Sequence, residues 1–137
     1  MWKYYALLSA FFAALTAILA KVGIKGINGN LATAVRTSVV LFLAWGIVFF
    51  SGHLKDVKEL TKVNLLFLVL SGLATGLSWI FYFKALETGN VSKVAPIDKL
   101  SIVFIMILSF FFLKEQMDIK TIAGGLLIVV GAVVLAW

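Results

Sequence analysis

An all-α membrane protein of five transmembrane helices is the fold class this sequence predicts, and three observations predict it. Five apolar stretches of about 20 residues, the length that crosses a hydrocarbon layer, are separated only by short polar connections. Of the 137 residues 63% are hydrophobic and 13% charged, about half the charged share of a water-soluble domain. Aromatic residues stand where interfacial anchors belong, with Trp2, Tyr4 and Tyr5 at one end of the first run and Trp137 at the end of the last.

The five spans are expected at residues 2–20, 31–51, 63–83, 92–113 and 119–137. The first, behind Lys3, resembles a signal peptide in isolation, but four further runs follow, so it reads as a first crossing. The connections are Gly23 to Asn30, Gly52 to Lys62, Glu87 to Asn90 and Lys114 to Asp118. Each carries glycine, asparagine or charge, and each is short enough to make neighbouring spans antiparallel. A membrane barrel would alternate apolar and polar residues. The run Ile102-Val103-Phe104-Ile105-Met106-Ile107-Leu108 is apolar at both parities, and a lipid-embedded backbone must satisfy its own hydrogen bonds, so each run is a helix.

Composition narrows the function classes. Cysteine is absent and His53 is the one histidine, which leaves no ligand set for a metal and no Ser-His pair for an enzyme. No cofactor is expected. The net charge of +6 comes from basic residues at the ends of apolar runs, where they snorkel to the interface, so no nucleic-acid partner is implied.

Flanking charge is nearly balanced. One side receives Lys3, Lys55, Lys58, Lys62, Lys114 and Lys120; the other receives Lys21, Lys25, Lys84 and Lys93, with Arg36 and Lys99 if near-terminal residues are counted. The positive-inside rule then prefers neither orientation. An odd number of spans inserted both ways round would give two oppositely oriented copies, the inverted-repeat plan of many secondary transporters assembled from two chains. The expected partners are therefore the lipid bilayer and a second copy as an antiparallel homodimer.

Ionisable groups inside spans are costly and mark candidate sites. Asp98 and Lys99 lie early in the fourth span, just after Pro96, which removes a backbone donor and is expected to kink or open that turn. Ser101 shares a face with Asp98. Arg36 lies within the second span, and Lys84 ends the third. With Lys21 and Lys93 they form a basic vestibule that would favour carboxylate or phosphate groups. The plainer alternatives are that Asp98 only neutralises a nearby base and that each basic residue only snorkels. The third span carries a stripe of Ser71, Thr75, Ser78 and Tyr82 with Trp79 beside it, which suits either a cavity wall or helix packing. Gly124, Gly125, Gly131 and Ala132 of the last span suit packing.

The segment Tyr82-Phe83-Lys84-Ala85-Leu86-Glu87-Thr88-Gly89-Asn90-Val91-Ser92-Lys93-Val94-Ala95-Pro96, followed by Leu100-Ser101, resembles the junction of the third and fourth helices of EamA domains, of the drug/metabolite transporter superfamily. Phe112-Leu113-Lys114-Glu115 is similar to the family's Phe-Leu-Gly-Glu, with lysine in place of glycine. Ala13 to Ile18 and Gly124, Leu127, Ile128 and Gly131 also fit. The resemblance covers residues 1–137 and implies one EamA-like half-transporter domain. It implies a secondary transporter, an exporter of a small metabolite such as an amino acid, working by alternating access. It also implies a central cavity lined by the first, third and fourth helices, which points to Thr16, Trp79, Tyr82, Asp98 and Ser101. The first span holds no acid, so the proton-coupled cation export of small multidrug-resistance proteins is not implied. The expected location is the cytoplasmic membrane of a prokaryote, as a multi-pass protein. An accessory subunit that pairs with a sister chain, without transport of its own, remains the alternative.

Overall fold

The computed structural model describes residues 1–137, and the chain is helical with no strand. Helix α1 spans Trp2–Gly23, α2 Gly29–Phe50, α3 Lys62–Thr88, α4 Val91–Asp98, α5 Ser101–Leu108 and α6 Ile119–Ala136. A 3-10 helix, His53–Glu59, joins α2 to α3, and a π-helical turn, Ser109–Leu113, follows α5. Helices α1, α2, α3 and α6 and the composite span Val91–Leu113 are long and apolar enough to cross a membrane. Their large apolar side chains stand mostly open, with Phe50 88% and Phe42 77% exposed. That is the arrangement expected when the solvent is lipid and not water.

Each helix end has a local cause. Asn28 caps α2 by accepting the Asn30 N–H at 2.8 Å. Gly52, with φ +76°, takes the left-handed conformation that stops α2. Asp118 caps α6 by accepting both the N–H and the hydroxyl of Thr121, bonds that hold its carboxyl below the ordinary value of 3.8. Helix α3 runs on past Phe83 to Thr88, because nothing before Gly89 breaks it. Lys84 and Glu87 therefore stand on the helix, where the sequence suggested its end and the following loop.

The fourth span is interrupted. Pro96 has no N–H and crowds the preceding turn. After it the backbone tightens: Lys99 bonds Pro96 at 3.1 Å, Leu100 bonds Ile97 at 2.9 Å and Ile102 bonds Lys99 at 3.0 Å, each three residues back. This single turn of 3-10 geometry separates α4 from α5 and places residues three apart directly above one another.

The chain forms two compact units. In the unit Leu19–Glu87, the buried side chains are Ile24, Phe83, Leu86 and Thr33. In the unit Met1–Ile18 with Thr88–Trp137, α6 packs along α4 and α5. Gly125 and Ala132 are its buried residues, and a Cβ at Gly125 would lie 2.9 Å from Met106 Cε, so glycine admits the methionine.

Lys114 is the one non-glycine residue with positive φ, at +53°. Its N–H and that of Glu115 both return to the Ser109 carbonyl. The left-handed region costs a side-chain-bearing residue about 1–2 kcal/mol, partly offset by the greater freedom glycine loses on folding. Lys114→Gly is therefore expected to raise stability by about 0.5–1 kcal/mol, read as a higher thermal midpoint in detergent. A lower midpoint would mean that the lysine side chain contributes more than its backbone strain costs.

Candidate functional site

In the unit Leu19–Glu87, the last turn of α1, the first turn of α2 and the last turn of α3 meet at one end. The first N–H groups and last carbonyls of any helix lack intrahelical partners. Here they find them in side chains. The Lys21 ammonium donates to the Leu86 carbonyl near the end of α3. The Gly29 N–H, first in α2, donates to the Glu87 carboxylate. Glycine leaves room for this approach: a Cβ at position 29 would lie 2.8 Å from Glu87 Oε1 and 3.0 Å from its carboxyl carbon, and the carboxylate would have to shift.

That contact sets two facing stripes. On α2, Gly29, Thr33 and Arg36 fall on one face; on α3, Glu87, Phe83 and Trp79 do. Thr33 is buried and turns its hydroxyl back to the Gly29 carbonyl at 2.8 Å, so it brings no unmet polar group. Phe83 is 2% exposed. Beyond them the Arg36 guanidinium lies over the Trp79 ring at 4.3 Å and over the Phe83 ring at 5.5 Å. Tyr82 stands edge-on to Phe83, ring centres 6.3 Å apart, and couples to the Arg36 charge. No carboxylate pairs with Arg36, and it donates no hydrogen bond within the chain. Arg36, Trp79 and Tyr82 thus come together.

A second group lies in the other unit. Asp98 and Lys99 pair at 3.4 Å, with 38% and 56% of their side chains exposed. They sit at the 3-10 turn after Pro96, and Ser101 opens α5 directly over Asp98. Thr16 is half-buried beside Ala17, which is buried. Lys84 is exposed on α3. Within the polar stripe of α3, Thr75 turns its hydroxyl back to the Ser71 carbonyl at 2.9 Å, whereas Ser71 and Ser78 stand open. No three His, Cys, Asp or Glu side chains gather as a metal would need.

Sequence reasoning missed Phe83 as a site residue and did not pair Glu87 with Gly29. Phe83 follows Trp79 by four residues, a one-turn spacing that is visible in the sequence. It was masked because an aromatic without a polar handle looks like any lipid-facing side chain.

The model of the family described as "EamA-like transporter family" matches residues 1–137. A protein from a Sinorhizobium species, described as "Uncharacterized transporter in cobO 3'region", is 47% identical over 135 residues, covering 98% of this chain and 96% of the relative. No solved structure matches.

Removing the Glu87 carboxylate strands the Gly29 N–H at the start of α2. Glu87→Ala is expected to cost about 1–2 kcal/mol, the usual worth of such a cap, seen as a lower thermal midpoint. Gly29→Ala should lower it as well, by displacing the carboxylate. A midpoint unchanged in both variants would remove the contact from the account.

Proposed function

The chain belongs to the EamA-like transporter family, and from that premise we propose that it exports a small organic solute by alternating access, as an antiparallel pair of identical chains in the cytoplasmic membrane. As a multi-pass membrane transporter it contacts lipid and takes a small-molecule substrate.

The observation that carries the pairing is the open polar surface of the single chain. Ser71 and Ser78 on α3, and Lys99 and Ser101 at the broken fourth span, stand exposed inside spans, and Asp98 is partly exposed beside them. Facing lipid they would be costly; facing a cavity between two copies they are in place. Nearly balanced flanking lysines and an odd number of crossings support opposite orientations. The broken span supports a binding role: irregular backbone at membrane depth is tolerated where it lines a cavity, and half-helix ends are where transporters bind solutes and ions. In this reading Asp98 carries proton coupling or touches the solute, and Lys99 balances its charge. Thr16 and Ser101 in the unit of Asp98, and separately Trp79, Tyr82 and Lys84 in the unit Leu19–Glu87, offer the solute side-chain polarity or an aromatic face.

Because the native chain has no cysteine, a single Ser51→Cys reports orientation. Impermeant thiol reagent applied to intact cells is expected to label part of the population, and disruption of the cells to expose the rest. Labelling from one side only ends the antiparallel pair and favours a sister chain. With solute uptake measured in everted vesicles, Asp98→Asn is expected to slow uptake and to remove its dependence on pH. Unchanged rate and pH profile would leave Asp98 a structural residue.

A further inference from the structure

Arg36 follows Gly29 by seven residues, which places its Cα about 10 Å along α2 from the helix start. A snorkelling arginine there would extend back toward the interface, alongside the last turns of α3. It does not reach back that far. Phe83 lies nearer the end of α3 than Trp79 does, yet the guanidinium is 5.5 Å from Phe83 and 4.3 Å from Trp79. The head stays level with Trp79, beside two aromatic rings.

A contact with ring faces gives the guanidinium no hydrogen-bond acceptor, so its five N–H donors remain for one. No carboxylate pairs with it and no group of the chain accepts a hydrogen bond from it, although Tyr82 interacts with its charge. At the same time, no buried side-chain nitrogen or oxygen lacks a partner. The guanidinium nitrogens are therefore reachable from outside the chain. A planar fork of donors, carrying charge, flanked by two aromatic rings and set in a medium that penalises unpaired charge, fits a planar anion.

We propose that Arg36, flanked by the rings of Trp79 and Phe83, binds the carboxylate of the transported solute through two parallel hydrogen bonds. The proposal rests on the transporter reading and narrows its substrate class to carboxylates. The bound anion offsets the arginine charge during transport. After release the ring faces stabilise the cation alone, so the fork stays assembled for the next solute. A phosphate on an anionic lipid headgroup shares this chemistry, and the experiment separates the two sources.

Acetate serves as the probe, with full-length protein in an uncharged maltoside detergent and chloride at equal ionic strength as reference. A ligand that binds only the folded state raises the thermal midpoint. Acetate is expected to raise it saturably where chloride does not, and Arg36→Gln to abolish the rise. Arg36→Lys keeps the charge without the planar fork, and weakens the apparent Kd about tenfold, the loss of one charge-assisted hydrogen bond; it also keeps the test decisive if the glutamine variant fails to fold. The proposal is overturned if wild-type protein shows no rise, or if the rise survives in both variants. It is overturned equally if phosphatidylglycerol stabilises in an Arg36-dependent way while acetate does nothing, which assigns the fork to a lipid headgroup. The readout is binding in detergent, so its failure beside intact solute uptake and two-sided labelling removes the carboxylate site and leaves the transporter reading in place.

Discussion

A single contact, the Glu87 carboxylate on the Gly29 N–H, sets the geometry on which the candidate site depends. A helix start cannot be left unsatisfied at the edge of lipid, where water is scarce and each lost hydrogen bond costs its full desolvation. Meeting that need with a side chain from α3 fixes two things. It fixes how far α3 slides along α2, and it fixes which face of α3 turns inward. Gly29 and Arg36 are separated by about 10 Å of helix, and Glu87 and Trp79 by about 12 Å. Two antiparallel helices pinned at Gly29 and Glu87 therefore bring Arg36 opposite Trp79, with Thr33 and Phe83 buried between. Lys21, on the Leu86 carbonyl, ties the end of α1 to the same place. The two tethers answer complementary needs, an anion at a helix start and a cation at a helix end, each where the peptide dipoles favour it.

Most of the fold was legible in the sequence because lipid imposes a coarse rule. About 20 apolar residues must be consecutive to cross it, and glycine, asparagine or charge must interrupt them. The break in the fourth span was legible in kind, since Pro96 announces it, though not in form. The resulting turn is a tightening to 3-10 geometry and not an open loop, so Asp98 and Ser101 lie more nearly superimposed than on a regular helix. Lys114 was visible as a lysine where the family pattern has glycine, and its left-handed backbone gives that substitution a physical meaning.

The site was legible only in part, for a different reason. Charged and hydroxyl side chains inside spans draw attention, which singles out Arg36 and Tyr82, with Trp79 beside the hydroxyl stripe of α3. What the sequence could not supply was their pairing. Arg36 and Asp98 both read as members of one basic vestibule with an acid in it, yet the guanidinium engages rings and the carboxylate engages its neighbour Lys99. Nor does the end of α3 announce itself: Lys84 and Glu87 look like loop charges until the helix is seen to continue beneath them. Close approach at Gly29 depends on a residue far along the chain, and no local pattern encodes it.

An antiparallel pair requires a second, oppositely oriented copy to complete what one chain leaves open. The most direct test counts and orients chains in a lipid vesicle. A single cysteine introduced at Asp56, on the exposed 3-10 helix between α2 and α3, carries one dye. The expected result is two bleaching steps per spot, with an impermeant quencher outside the vesicle extinguishing one dye and sparing the other. One step per spot, or two dyes quenched together, would contradict an antiparallel pair.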